Sequence, residues 1–151
     1  MNKTVLIIFF LLLLILAFFY FFFWQRPNPV RTAENTVRIR EKTYAVELAK
    51  TVLEQMQGLS GREGLDGDTG MLFLFPGGSR PGFWMKGMNF AIDIIWIADG
   101  EIIGFVENAP PAKEGGLKIY KPDREIDMVL ELQAGQVREG GFQPGDKVML
   151  D

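Results

Sequence analysis

Asp93 stands alone in an apolar run, "FAIDIIWI" (residues 90–97), with no polar residue within two positions on either side. A carboxylate taken out of water needs hydrogen-bond donors or a cation to offset its lost hydration. Arg62, Arg80 and Lys86 are the cations near it in the pattern. Two readings follow: a structural anion that holds a cation or caps loop N–H groups, or an acid/base carboxylate in a pocket. Just before it, "FWMKGM" (residues 83–88) places a flat aromatic ring, a thioether and an ammonium close together. On an extended chain Trp84, Lys86 and Met88 share one side, while Phe83, Met85 and Gly87 share the other. Such a surface suits a sugar or an acidic group, and the same residues could equally plug the end of a β-core.

The other carboxylates carry weaker signals. Asp127 and Glu131 lie four apart in "IDMVLELQ", hence on one face of a strand, whereas a glycosidase pair must converge across a cleft at about 5–10 Å. Asp127 is expected in solvent and Glu131, between Leu130 and Leu132, beside an arginine. "DGDTG" (residues 66–70) opens like a calcium loop but lacks the third acidic position and the distal Glu, so a turn is expected. "PGGSRPG" has no Lys-Ser/Thr ending and is not a phosphate-binding loop. The chain has no Cys and no His, which removes thiol nucleophiles, disulfides, Ser-His-Asp triads and His or Cys metal sites. No metal and no cofactor is called for.

The elements that position these groups begin after Val5–Trp24, twenty residues without a charge, a Gly or a Pro. At 1.5 Å per residue they span about 30 Å, the thickness of a bilayer core. Aromatic residues occupy Tyr20–Trp24, where a signal-peptide cleavage site would want small ones. Residues 1–24 therefore read as a single uncleaved transmembrane anchor, with a cleaved signal as the alternative. The very short N-terminal tail is that of a signal-anchor and places the soluble part outside the cytoplasm. The literal count of Arg26, Arg31, Arg38 and Arg40 against Lys3 points the other way. Residues 25–36 form a polar, Pro-containing stalk. One domain, residues 37–151, follows. Beyond the anchor there are 15 cations against 19 anions, a net charge of −4, which argues against nucleic acid as a partner.

Within that domain "VRIREKTYAVELA" alternates with period two and breaks at Glu41-Lys42, a hairpin. Thr51 and Glu54 form a capping box ahead of a short helix stopped by Gly58. "GMLFLF" reads as a buried strand, and Asp99-Gly100 joins "FAIDIIWI" to "EIIGFVEN" as a hairpin. "IDMVLELQ" and "KVML" complete about seven strands, with "AGQVREGG" as a helical turn. The expected fold is mainly β, a small sandwich or barrel with one or two short helices.

In order, "GLSGREGL", "GMLFLFP", "FWMKGMNFAIDIIWI", "APP", Tyr120-Lys-Pro122, "VLEL-AG" and a final Gly145-Asp146 resemble the domain of unknown function 192 family over nearly all of residues 37–150. The resemblance implies a compact, mostly β fold of jelly-roll-like kind, often behind an export signal or anchor, and no established activity. Ala91 departs from the pattern, standing where relatives carry Pro. The candidate binding pocket consists of Trp84, Met85, Lys86 and Met88, with Asp93, Arg62 and Tyr120. The expected function is a membrane-anchored, extracytoplasmic, non-catalytic module for an envelope glycan or partner protein. A carboxylate-dependent glycan hydrolase and a structural subunit of an envelope complex are the alternatives.

The anchor reading has a direct check. The mature protein should retain Met1 to Trp24 and stay with membranes through a carbonate wash, as read by intact mass. A mature N-terminus near Arg31 would overturn it.

Overall fold

In a computed structural model, residues 35–112 and 116–151 are described, and they hold nine strands and two short helices. The apolar segment Val5–Trp24 lies outside the described residues. Among those residues no helix is long and apolar enough to cross a membrane.

The alternating N-terminal stretch forms β1 (Asn35–Ile39) and β2 (Lys42–Ala49), joined by the two-residue turn Arg40-Glu41. Strand β1 begins inside the stretch read from sequence as stalk, because Thr36 exchanges both backbone hydrogen bonds with Asp151 at 2.9 Å. Helix α1 (Val52–Gln57) carries the chain across to β3 (Thr69–Ser79), which runs parallel to β2. Strands β5 (Ile92–Ala98) and β6 (Glu101–Ala109) make the second hairpin. Asp99 and Gly100 both take positive φ there, 54° and 70°, as a tight twisted turn requires. Strand β8 (Ile126–Gln133), α2 (Gln136–Gly140) and β9 (Val148–Leu150) follow. The short strands β4 (Phe83–Trp84) and β7 (Ile119–Tyr120) pair only with each other.

The seven longer strands form one sheet in the order β6-β5-β8-β3-β2-β1-β9. It is a single curled sheet, not the two stacked layers of a sandwich. The curl brings the two edge strands together at one end. Glu101 and Lys147 form an antiparallel bridge there, with Ile102 and Val148 donating to Asp146 and Gly100 at 2.9 Å. One apolar cluster, with Ile39, Tyr44, Leu72, Ile95, Leu130 and Phe142 among its members, fills the concave side. A second cluster, around Met71, Phe73, Phe83, Ile94 and Trp96, lies on the other face under β4 and the loops. The central strands are thus covered on both faces, and every residue of β5 is buried.

Asp93 sits on the concave face of β5 and is wholly buried. Its partners are backbone donors, not Arg62, Arg80 or Lys86. Oδ1 accepts from Asn108 at 2.8 Å, and Oδ2 accepts from Gly135 at 3.0 Å and Val137 at 2.8 Å. The first bond fixes a bulge, because the β5–β6 register slips between Ile92 and Ile94 and leaves Asn108 with φ of 51°. The other two cap α2, whose own N-cap residue is Gly135 and offers no side chain. A carboxylate at a helix N-terminus satisfies its free N–H groups and complements its positive end. One side chain thereby ties β5, β6 and the turn after β8 together. Tyr44 adds a bond from its hydroxyl to Gln136 Oε1 at 3.0 Å, and burial pushes its phenol up to about 12.

Asp93→Ala strands three backbone donors, two of them buried, and should lower stability by about 3–5 kcal/mol in urea melts. Asp93→Asn keeps one acceptor oxygen and should cost less. Midpoints near wild type for both variants would overturn this role.

Candidate functional site

The site is assembled from α1 outward. Thr51 Oγ1 accepts from Glu54 N at 3.3 Å, and the Glu54 carboxylate accepts from Thr51 N and Lys50 N at 2.9 Å. Those backbone bonds hold the Glu54 carboxyl below its ordinary range. Gln55 fastens the helix to the sheet by donating to Ala49 O at 3.3 Å and Leu74 O at 2.8 Å. The helix buries none of its own residues. Val52, Leu53 and Met56 are 73%, 75% and 62% exposed, an apolar face packed on nothing among the described residues.

After α1 the chain docks on the "FWMKGM" segment. Ser60 Oγ donates to Lys86 O at 3.0 Å and Gly61 N to Gly87 O at 2.8 Å. Gly87 turns with φ of 73°, which only glycine takes without strain. The extended arrangement expected for residues 84–88 therefore stops at Trp84, and Met88 N bonds back to Met85 O at 3.3 Å.

Between α1, the Gly58–Ser60 loop and β4 lies a cleft of about 170 Å³. Phe73, Phe75, Phe83, Trp84, Met56 and Met88 supply most of its apolar wall. Phe83 centres an aromatic cluster, edge-on to Phe73 at 5.1 Å and to Trp96 at 5.5 Å. Trp84 is 40% exposed at the rim. Glu131 reaches the cleft from β8, where it lies between Met71 of β3 and Ile94 of β5. It is 6% exposed, and no hydrogen bond or ion pair reaches its carboxyl from the described residues. Burial alone raises it from 4.5 to about 8, so at neutral pH it is mostly a neutral acid. The arginine partner expected for Glu131 is absent among the described residues. Arg62 instead grips Glu47 through two bonds of 2.8 and 2.9 Å, which raises the guanidinium further. Arg80 donates to Pro122 O.

The residues singled out from sequence are not gathered into one pocket. Trp84 and Met88 line the cleft, and Lys86 is exposed on the turn beside it. Met85 and Tyr120 border a second apolar depression with residues 110–112 and 116–118, where Lys118 lies 4.6 Å from the Tyr120 ring centre. Asp93 points to the opposite face of the sheet. Asp127 is half-buried and accepts from Asp99 N at 3.0 Å, so it is not the solvated group expected. The "DGDTG" stretch turns as expected, with Thr69 donating to Asp66 O at 3.0 Å from N and 2.7 Å from Oγ1. Sequence reasoning passed over Glu131 as a site residue. The available signal was its position between Leu130 and Leu132 in a mostly apolar strand, on the face opposite theirs.

Fold and site together define a small curled β-domain with one acidic group under an aromatic cleft. The chain belongs to the domain of unknown function 192 (DUF192) family, described as "Uncharacterized ACR", whose model matches residues 33–150. Two solved structures are similar to it. A protein of unknown function from Novosphingobium aromaticivorans DSM 12444 is 30% identical, with a TM-score of 0.70 over 76% of this chain and 83% of that one. A protein from Sinorhizobium meliloti 1021, provisionally described as a transcription regulator, is 36% identical, with a TM-score of 0.71 over 76% and 92%. No curated protein matches the chain.

Because Glu131 holds its proton more tightly folded than unfolded, its contribution to stability is complete below about pH 4.5 and is lost as pH rises to about 8. The loss amounts to about 4–5 kcal/mol at most. Urea melts at pH 5 and pH 8 should show a decline that Glu131→Gln largely removes. An unchanged pH profile in that variant would contradict it.

Proposed function

We propose that the protein is a non-catalytic binding module whose working surface is the Glu131 cleft with the apolar face of α1, and that it takes an apolar segment of a partner protein in the cell envelope. The observation that carries this is α1 itself. A helix that buries nothing and exposes Val52, Leu53 and Met56 is an unfinished interface, since exposed apolar patches of this kind mark sites of association. Glu54 in the first turn and the absence of a basic residue in the last argue against an anionic membrane surface as its partner. A glycan fits less well, because among the described residues Glu131 is the only charged one lining the cleft and the remaining polar lining is Gln55, Gln57 and Ser60.

Hydrolysis by paired carboxylates lacks support. Asp93 and Glu131 point to opposite faces of the sheet, since Ile94, not Asp93, pairs with Glu131. Asp127 is four residues from Glu131 along β8, about 13 Å at 3.3 Å per residue, beyond the separation of a glycosidase pair. The regulator description of the Sinorhizobium protein does not transfer readily to a soluble part with a net charge of −4.

A photo-crosslinking residue at Leu53 or Met56 of the full chain in intact cells should give a discrete protein adduct, whereas one at exposed Glu63 should give none. Adducts with lipid alone, or the same products from all three positions, would overturn the reading.

A further inference from the structure

Resting on that reading of the cleft, we propose that the partner presents a lysine side chain there, its aliphatic stem against the aromatic and thioether walls and its ammonium on the Glu131 carboxylate. Three observations converge. Glu131 is more than nine-tenths buried, faces the cleft and has no partner among the described residues. Buried acids in folded proteins are satisfied, and the group that satisfies this one must come from what fills the cleft. The walls carry the aromatic rings of Phe73, Phe75, Phe83 and Trp84 and the sulfurs of Met56 and Met88, and among the described residues no cation lines the cleft to compete. A ring face attracts a cation, and a carboxylate beside it repels an anion.

Lysine fits better than arginine. A four-carbon stem lies along apolar walls while its head reaches a polar group. A guanidinium brings five donors in a rigid planar fork, of which one carboxylate takes two side by side, and the rest would face a largely apolar lining. The other carboxylates near the cleft each hold a partner, and Lys86 on the turn beside it is exposed to solvent. Glu47, beyond Met71 in the same row across the sheet, is held by Arg62. Glu54 is folded back on its helix cap, and Asp127 accepts from Asp99. Glu131 is left to titrate with the ligand. Ammonium binding requires it to ionise, so affinity rises with pH until Glu131 is ionised in the free protein. A neutral acceptor bound by the protonated acid would show the opposite trend.

The test uses two peptides, acetyl-Leu-Lys-Leu-amide and acetyl-Leu-norleucine-Leu-amide, titrated by ligand-observed NMR against the full chain in nanodiscs, with empty nanodiscs as the blank. The lysine peptide should bind at least tenfold tighter at pH 8 and tighten about tenfold between pH 6 and 7. Glu131→Gln should erase both effects while norleucine-peptide binding persists. Equal affinity for the two peptides overturns the lysine assignment and leaves the binding-module reading standing. A lysine preference that survives Glu131→Gln, or affinity that falls with rising pH, overturns the role given to Glu131. Binding of neither peptide also overturns the inference, and the crosslinking outcome at Leu53 then decides the broader reading separately.

Discussion

The fold turns on one buried carboxylate. Asp93 is placed where three parts of the chain each leave backbone donors unpaired: the bulge in β6, the N-terminus of α2 and the turn that follows β8. The amides of Gly135 and Val137 could not be buried without an acceptor, because an unpaired amide in the interior costs as much as a lost hydrogen bond. A neutral side chain of similar size would satisfy fewer of them. The apolar strand around Asp93 supplies most of the burial and the carboxylate supplies its direction, fixing which way the chain leaves β8 and where β6 may bulge.

Much of the architecture was readable from local rules. The Thr51–Glu54 capping box, the Gly58 stop and the Asp99-Gly100 turn each depend on two or three neighbouring residues, and each forms as expected. The hairpin break at Glu41-Lys42 fell within a residue of the observed turn. What local rules could not reach was pairing between distant segments. Strand period marks the two faces of β5 and β8 but not which of them meets a loop, so Asp93 and Glu131 looked alike although one is saturated by backbone and the other has no partner among the described residues. The choice between one curled sheet and two stacked ones was hidden for the same reason, since both bury the same alternating residues. The turn at Gly87 was missed because a glycine within an apolar stretch reads equally as a bulge.

The two carboxylates on opposite faces divide the molecule's work. On the concave side the buried carboxylate is satisfied by backbone donors and the apolar cluster around it is closed. On the other side the second core is closed less completely, with an aromatic cluster giving onto a cleft and a helix whose apolar face is open to solvent.

The pairing of β1 with β9 also bears on how the chain folds. Residues 36 and 151 hydrogen-bond to one another, and the bridge between Glu101 and Lys147 joins the far edge at the same corner. Loop-closure entropy must be met before such distant contacts return any energy, so topologies of this kind nucleate slowly. During synthesis β1 and β2 can pair early as a local hairpin, but the outer edge of β1 stays uncovered until β9 arrives. An uncovered strand edge is a template for pairing with another chain. The interval between the first hairpin and the last strand is therefore when this domain is most exposed to misassociation, and the three residues of β9 act as the latch that ends it.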